Sequence, residues 1–84
     1  MNKEEMTWRI RVYGIVQGVG FRPTVSRHAT THGIRGTVCN KGPYVEIFAQ
    51  GTKEQIDGFL NELKEHPPKR AAILKISTKD VTAE

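Results

Sequence analysis

The stretch that decides the fold runs from Thr7 to Pro23 and reads TWRIRVY-GIVQGVGFRP. Its first seven residues alternate, with apolar Trp8, Ile10 and Val12 separated by arginines, which is typical of a strand with one buried face. Three glycines follow within seven positions, so the backbone can take turns that a Cβ atom would obstruct. Pro23 suits the first position of a helix. The stretch therefore predicts a strand, a glycine-rich loop and a helix in direct succession.

The first helix and the next two strands follow from periodicity and from end signals. The helix is predicted from 23 to 32, and Gly33 supplies a left-handed C-cap. A second strand is predicted over 34–40 and a third over 44–50, with a tight Lys41-Gly42-Pro43 connection between them. The third strand alternates on its buried side through Val45, Ile47 and Ala49.

The second helix has the clearest start signal in the chain. Thr52 and Gln55 fit a capping box, in which each side chain hydrogen-bonds to the backbone of the other. An amphipathic stripe follows at helical spacing: Ile56, Phe59, Leu60 and Leu63. Pro67-Pro68 cannot continue this helix, and a final strand is predicted over 71–77.

The order β-α-β-β-α-β predicts an α+β fold of the ferredoxin-like type. Both helices need one surface for their apolar stripes, and a four-stranded antiparallel sheet with two helices on one face supplies it. Right-handed crossovers place the first strand inside the sheet, parallel to the second strand and one strand away from it. Parallel strands end at the same edge, so Asn40 is expected near the loop that follows the first strand.

Composition narrows the class of protein. The 84 residues fit a single domain, 1–84, with a loose N-terminal tail over 1–6. One cysteine, Cys39, cannot form an internal disulfide, so the cytoplasm is the expected compartment. No apolar run approaches a membrane span, and the tail lacks the apolar core of a signal peptide. The net charge of +4 is spread along the chain and weakly favours an anionic ligand.

The glycine-rich loop is a candidate anion site. Successive N–H groups in such a loop can converge as a nest, and the helix start adds unpaired donors and partial positive charge. The expected donors are successive backbone amides of this loop together with Arg22. Because proline disfavours helical geometry in the preceding residue, Arg22 is expected to be extended, with its guanidinium able to grip two phosphate oxygens. On the pattern alone, a tight turn with a surface arginine explains the loop equally well.

The loop Val16–Arg22 and the later Gly36-Thr37-Val38-Cys39-Asn40 resemble the acylphosphatase family over about 9–77. The resemblance implies the same fold, a hydrolase that cleaves acyl phosphates, and no metal or organic cofactor. It further implies that Arg22 and the loop amides of Gln17 to Phe21 bind the phosphate, while Asn40 orients the attacking water. Phosphate or sulfate could occupy the same loop.

A finer resemblance concerns Arg22-Pro23, Val38-Cys39-Asn40, the short Lys41-Gly42-Pro43 connection and the Pro67-Pro68 pair. These are similar to the N-terminal domain of the carbamoyltransferases that mature nickel-iron hydrogenases. This resemblance implies carbamoyl phosphate as a substrate, downstream domains in a larger chain, and low turnover for the isolated domain. The chain itself is expected to be a monomer without nucleic-acid or membrane partners.

Alternatives from other classes remain at this point. The loop could bind an anion without catalysis, or the open sheet face could dock a partner domain. Tyr44 and Phe48 share that face. An RNA-recognition motif stacks bases on aromatic side chains of such a face, but here Glu46 lies between the two aromatics. His28 and His32 have the spacing of a two-ligand metal face, but a helix-surface role is favoured for them. Cys39 is interpreted as a small strand residue rather than a nucleophile.

Overall fold

A computed structural model describes residues 4–83 of the chain. Six elements appear in the predicted order: β1 (Met6–Ile15), α1 (Phe21–Thr31), β2 (Arg35–Asn40), β3 (Tyr44–Gly51), α2 (Lys53–Glu65) and β4 (Ala72–Asp80). The first strand begins at Met6, one residue inside the tail predicted for 1–6, and residues 1–3 of that tail lie outside the described residues. The last strand reaches Asp80, three residues beyond the predicted end.

The four strands form one antiparallel sheet in the order β2-β3-β1-β4. Strand β1 pairs with β3 and with β4, and β2 pairs with β3, all antiparallel. Since β3 opposes both β1 and β2, those two strands run parallel with one strand between them, as predicted. In the register, Asn40 lies opposite Val45, which lies opposite Val12. Asn40 is therefore at the end of β2 on the side of the sheet that faces the helices.

The core lies between one face of the sheet and the two helices. From the sheet it takes Ile10, Val12, Val45, Ile47 and Ala49, and from the helices Phe21, Val25, Ile56, Phe59 and Leu63, all nearly or fully buried. In the strands these are the apolar residues at every second position, and in the helices they are the apolar residues at helical spacing. The α+β ferredoxin-like sandwich is thus confirmed, and within residues 4–83 no helix is both long and apolar enough to cross a bilayer.

Capping motifs fix the end of helix α1 and the start of helix α2. Helix α1 ends in a Schellman motif: Ile34 N–H donates to Ala29 O at 2.8 Å and Gly33 N–H to Thr30 O at 3.2 Å, with Gly33 at φ 69°. Helix α2 begins with the predicted capping box on Thr52. Both predicted caps are confirmed.

The start of α1 differs from the prediction. The helix begins at Phe21, with Gly20 as its N-cap, so Arg22 is its second residue and is not extended. Pro23 is the third helical residue, where a missing N–H still falls among the unpaired donors of the first turn and no helical carbonyl precedes its ring. The bias that proline imposes on its predecessor is thereby outweighed by the helix that starts before it.

Candidate active site

The glycine-rich loop is pinned by its apolar residues while its glycines face solvent. Val16 and Phe21 are almost fully buried, and Val19 packs against the core between them. Gly18 and Gly20 lie in the exposed intervals and adopt left-handed geometry, with φ 68° and 74°. All non-glycine residues that the structure describes have negative φ, so Val19 separates two left-handed residues. Such alternation of backbone hand turns successive N–H groups toward one point.

The amides of this loop are not used elsewhere in the part of the chain described. Within residues 4–83 no hydrogen bond is donated by the N–H of Gly18, Val19, Gly20, Phe21 or Arg22. The acceptor side of the turn is satisfied, since Gly20 O accepts from Thr24 N–H at 3.3 Å and from Thr24 Oγ1 at 3.1 Å. The loop thus offers consecutive donors with no acceptor, which is the condition for anion binding.

Helix α1 adds to this donor field and places a cation in it. Its first turn has neither an acidic residue nor a side-chain cap, so the partial positive charge of the N-terminus is not offset locally. Arg22 is exposed in that turn, and no carboxylate within 4–83 forms an ion pair with it. The guanidinium is therefore available to an anion that the loop amides hold.

Asn40 belongs to a tight turn that the structure brings to the loop. Its Oδ1 accepts from Gly42 N–H at 2.8 Å, and Lys41 N–H donates to Tyr44 O at 2.9 Å, which closes the connection between β2 and β3. Gln17 Nε2 then donates to Gly42 O at 2.9 Å. The expected proximity of Asn40 to the loop is confirmed, because Gly42 is hydrogen-bonded both to Asn40 and to Gln17 of the loop.

The role of the Gln17 side chain was missed by sequence reasoning. Gln17 was expected to contribute its backbone amide, and its side chain proves to tie the loop to the turn that carries Asn40. No sequence signal marks this contact, since its acceptor is a backbone carbonyl 25 positions away. Arg22 takes no part in these hydrogen bonds.

The three histidines lie away from the loop, between the two helices. His28 Nε2 lies 2.9 Å from His66 O, and His32 Nε2 lies 3.2 Å from Glu62 Oε1. The hydrogen bond from His32 lowers the pKa of Glu62, with smaller contributions from the charges of His28 and His66. Within the described residues no group of three or more His, Cys, Asp or Glu side chains could hold a metal ion. Cys39 is exposed, and its Sγ lies 3.7 Å from the carbonyl oxygen of Asn40.

The sequence and the fold are both similar to those of known proteins. A family model described as acylphosphatase matches residues 8–84. The chain is 47% identical over 77 residues to a probable carbamoyltransferase HypF of Methanocaldococcus jannaschii, covering 92% of this chain and 10% of that protein. It is 42% identical over 77 residues to an acylphosphatase of Thermotoga petrophila, covering 90% of this chain and 84% of that protein.

A solved structure gives the same result for the fold. The crystal structure of full-length HypF in a phosphate- and nucleotide-bound form superposes with a TM-score of 0.94 at 33% sequence identity, covering 100% of this chain and 11% of that one. The chain thus spans about a tenth of the length of the HypF proteins it matches, and most of the length of the matched acylphosphatase.

Proposed function

Because the chain belongs to the acylphosphatase family, we propose that it hydrolyses the carboxyl–phosphate bond of an acyl phosphate in the loop Gln17–Arg22. The observation that carries the proposal is the set of consecutive loop amides, from Gly18 to Arg22, without an acceptor within residues 4–83. A phosphoryl group has the charge and the number of oxygens to use several converging N–H donors at once. A single carboxylate or chloride would leave part of the set unused.

Arg22 is the proposed electrostatic partner of the phosphoryl group. It lies in the first turn of α1, whose N–H groups are unpaired, so the guanidinium and these amides belong to the same end of the helix. Its planar fork can donate to two phosphate oxygens simultaneously, which a lysine cannot do. Charge that moves onto the equatorial oxygens in the transition state would be stabilised by donors that are already oriented.

Asn40 is the proposed residue that orients the attacking water. Its Oδ1 is held by Gly42 N–H, so the orientation of the amide plane is fixed within the turn. The Nδ2 group remains as a donor, and Oδ1 retains a second lone pair. Together these can hold one water in a defined direction, although an amide is too weak a base to remove its proton.

The reaction needs little more than position and charge. The water oxygen attacks phosphorus, the bond from phosphorus to the acyl oxygen breaks, and the carboxylate leaves with the electron pair. A carboxylate is weakly basic and needs no protonation to depart, and the proton of the water passes to the phosphate product or to solvent. Positioning and electrostatic stabilisation therefore supply the catalysis, as in phosphoryl transfer generally.

Carbamoyl phosphate is the proposed physiological substrate, by extension from the HypF relatives. The similarity to the M. jannaschii protein spans 92% of this chain, and the HypF proteins are named carbamoyltransferases. Under this proposal the domain acts with further domains of a larger chain, and its turnover in isolation is low. We further propose a cytoplasmic monomer that needs no metal, cofactor or nucleic acid.

A hydrolysis assay tests the proposal. Release of phosphate is measured from carbamoyl phosphate and from benzoyl phosphate, with inorganic phosphate as an inhibitor. Hydrolysis that phosphate inhibits competitively is expected, and a preference for carbamoyl phosphate supports the HypF-type substrate. If phosphate bound but neither compound were hydrolysed, the chain would be an anion-binding domain and the proposed enzymatic activity would be wrong.

Two variants assign the roles in that assay. Arg22→Ala should abolish phosphate inhibition and activity together, because the main cation is lost. Asn40→Ala should retain phosphate inhibition while turnover falls about 10²–10³-fold, the usual effect of removing one oriented polar group. If Asn40→Ala hydrolysed benzoyl phosphate at the parent rate, the role assigned to Asn40 would be wrong.

A further inference from the structure

The face of the sheet opposite the helices is strongly basic. In the register of the four strands, the residues that alternate away from the core place five cations on this side, called here the open face: Arg9, Arg11, Arg35, Lys75 and Lys79. Within the strands the open face carries a single carboxylate, Glu46, and Glu5 adds a second at the rim, where it pairs with Arg35. The face therefore has a clear excess of positive charge.

The central carboxylate is already neutralised within the face. Glu46 is buried, with 9% of its surface exposed, and its Oε2 lies 3.1 Å from Arg11 Nε while its Oε1 lies 3.9 Å from Lys41 Nζ. The hydrogen bond that Arg11 donates to Glu46 raises the pKa of Arg11. Glu46 thus organises the cations around it and presents little negative charge to a partner.

Two tyrosines of the open face are covered by its cations. Tyr13 and Tyr44 lie opposite each other with ring centroids 5.2 Å apart, tilted by 45°. The guanidinium of Arg11 lies 5.2 Å from the Tyr44 centroid, and Lys75 Nζ lies 5.7 Å from that of Tyr13. A nucleobase would have to displace these cations before it could stack on either ring. The arrangement presents positive groups outward and so suits carboxylates better than bases.

Arg9 brings positive charge and an aromatic neighbour together on the open face. It lies directly opposite Lys79 across β1 and β4, so two cationic positions are adjacent there. Phe48, the neighbour of Arg9 across β1 and β3, is 37% exposed and adds an apolar contact beside this charge. Arginine and aromatic side chains are the residues enriched at protein–protein interfaces.

We propose that the open face is a docking surface for an acidic segment of a protein partner, whose aspartate and glutamate side chains pair with Arg9, Lys75 and their neighbours. The argument is charge complementarity, and it is independent of acyl phosphate hydrolysis because neither Arg22 nor the loop amides take part. Contacts of this kind steer association and weaken as salt increases.

A peptide titration tests the proposal. The probe is a glutamate-rich peptide, and its counterpart has glutamine at every glutamate position. Binding is followed by changes in backbone amide NMR shifts and by calorimetry at low salt. We expect the acidic peptide alone to bind, with shift changes concentrated in β1, β3 and β4. Shift changes confined to the helices or absent altogether would overturn the proposal.

A matched pair of double variants separates the open face from the overall charge of the chain. Arg9→Glu with Lys75→Glu reverses two cations of the face and should weaken peptide binding about 100-fold, as two tenfold losses of about 1.4 kcal/mol each would do. Arg27→Glu with Lys64→Glu makes the same change in net charge on exposed positions of α1 and α2, and should change affinity less than about threefold. Equal losses in both would mean non-specific attraction to a basic chain.

An oligonucleotide arm distinguishes the other anionic partner. Oligouridylate is titrated under the same conditions and should bind more weakly than the acidic peptide. Tighter binding of oligouridylate, with shift changes at Tyr13 and Phe48, would replace the acidic segment with RNA as the occupant. Retained dispersion of the backbone amide shifts in the Arg9 and Lys75 double variant would show that the fold is intact.

Discussion

Helices α1 and α2 begin in opposite ways, although both pack on the same face of the same sheet. At α2, Thr52 Oγ1 accepts from Gln55 N–H at 3.2 Å, Gln55 Oε1 accepts from Thr52 N–H at 2.8 Å, and Glu54 places negative charge in the first turn. At α1, the N-cap is a left-handed Gly20 without any side-chain cap, and the first turn has no acid. One helix start is complete within the chain and the other is open.

The open start is unfavourable unless a ligand completes it. A cation at a helix N-terminus is repelled by the positive end of the macrodipole, at a cost of about 0.3–1 kcal/mol, and the unpaired N–H donors there lack acceptors. The Schellman motif completes the other end of α1, so the exception falls at Gly20 to Arg22. Such an exception is expected where function overrides stability. The difference between the two helices thus supports the proposed phosphate site.

The largest expected effect comes from closing the open start. Gly20→Asp introduces a carboxylate at the N-cap of α1, and repulsion of a bound dianion at this range is worth several kcal/mol even at an effective dielectric constant near 20. Inhibition by inorganic phosphate should weaken at least ~100-fold, as measured by the inhibition constant in the hydrolysis assay.

The matched control for this change is Gly20→Asn. Asparagine and aspartate have the same shape, and both tolerate left-handed geometry better than other residues. The asparagine variant therefore reports strain at φ 74° without added charge. Equal phosphate affinity in the two variants would show that the anion does not bind at this helix start.

A second, smaller effect should come from separating the loop from the turn that carries Asn40. Gln17→Ala removes the hydrogen bond to Gly42 O, a contact worth about 0.5–1.5 kcal/mol. Turnover should fall about tenfold because Asn40 loses its alignment with the loop, while phosphate inhibition changes less than about threefold because the amides remain.

Gln17→Met distinguishes the donor from the bulk of the side chain. Methionine has similar length and no N–H, so it should lose turnover as alanine does. Full turnover in the methionine variant would mean that the Gln17 contact does not position Asn40. Gln50→Ala, at an exposed position of β3, should leave both the turnover and the inhibition constant for phosphate unchanged.

The completed start of α2 should affect stability and not activity. Thr52→Ala removes the accepting half of the capping box and should lower the free energy of unfolding by about 1 kcal/mol, or Tm by about 4–8 °C in a domain of this size. Thr52→Ser keeps the oxygen and should restore most of the loss. A fall in the specific activity of folded Thr52→Ala protein would contradict the separation between the two helix starts.

The fold could be predicted from the sequence because its signals are local and agree with one another. Alternation through Ile10 and Val12, the stripe from Ile56 to Leu63 and the cap at Thr52 each specify an element by itself. Right-handed crossovers then leave few topologies, so even the proximity of Asn40 to the loop followed without a structure.

The parts of the site that sequence reasoning did not give depend on competition or on tertiary contact. Arg22 was expected to be extended because of Pro23, and the helix that starts at Phe21 outweighed that bias. The Gln17 contact needs a carbonyl whose direction is set by the turn at Gly42, and no pattern around Gln17 encodes it. The catalytic roles of Arg22 and Asn40 rest on family resemblance and remain predictions.

The smallest expected effect concerns the C-terminal ends of the same two helices, which are joined by Glu62. His32 of α1 donates to Glu62 of α2, and His66 Nε2 lies 3.8 Å from the second carboxylate oxygen. The contact is partly exposed and exposed ion pairs contribute little, so Glu62→Gln should destabilise less than Thr52→Ala.

The pH dependence of that small effect has a defined sign. The hydrogen bond from His32 lowers the pKa of Glu62 in the folded state, so its stabilisation is fully present above the ordinary carboxyl pKa and is lost as pH falls through the lowered value. In denaturant melts across the acid range, the difference between the parent and Glu62→Gln should therefore shrink below pH about 4.5. Glu65→Gln makes the same charge change on α2, at a side chain with no hydrogen bond or ion pair within residues 4–83, and should show no such loss. If both variants followed the same curve, the histidine contact would contribute nothing to holding the two helices together, and only the contrast at their N-terminal ends would remain.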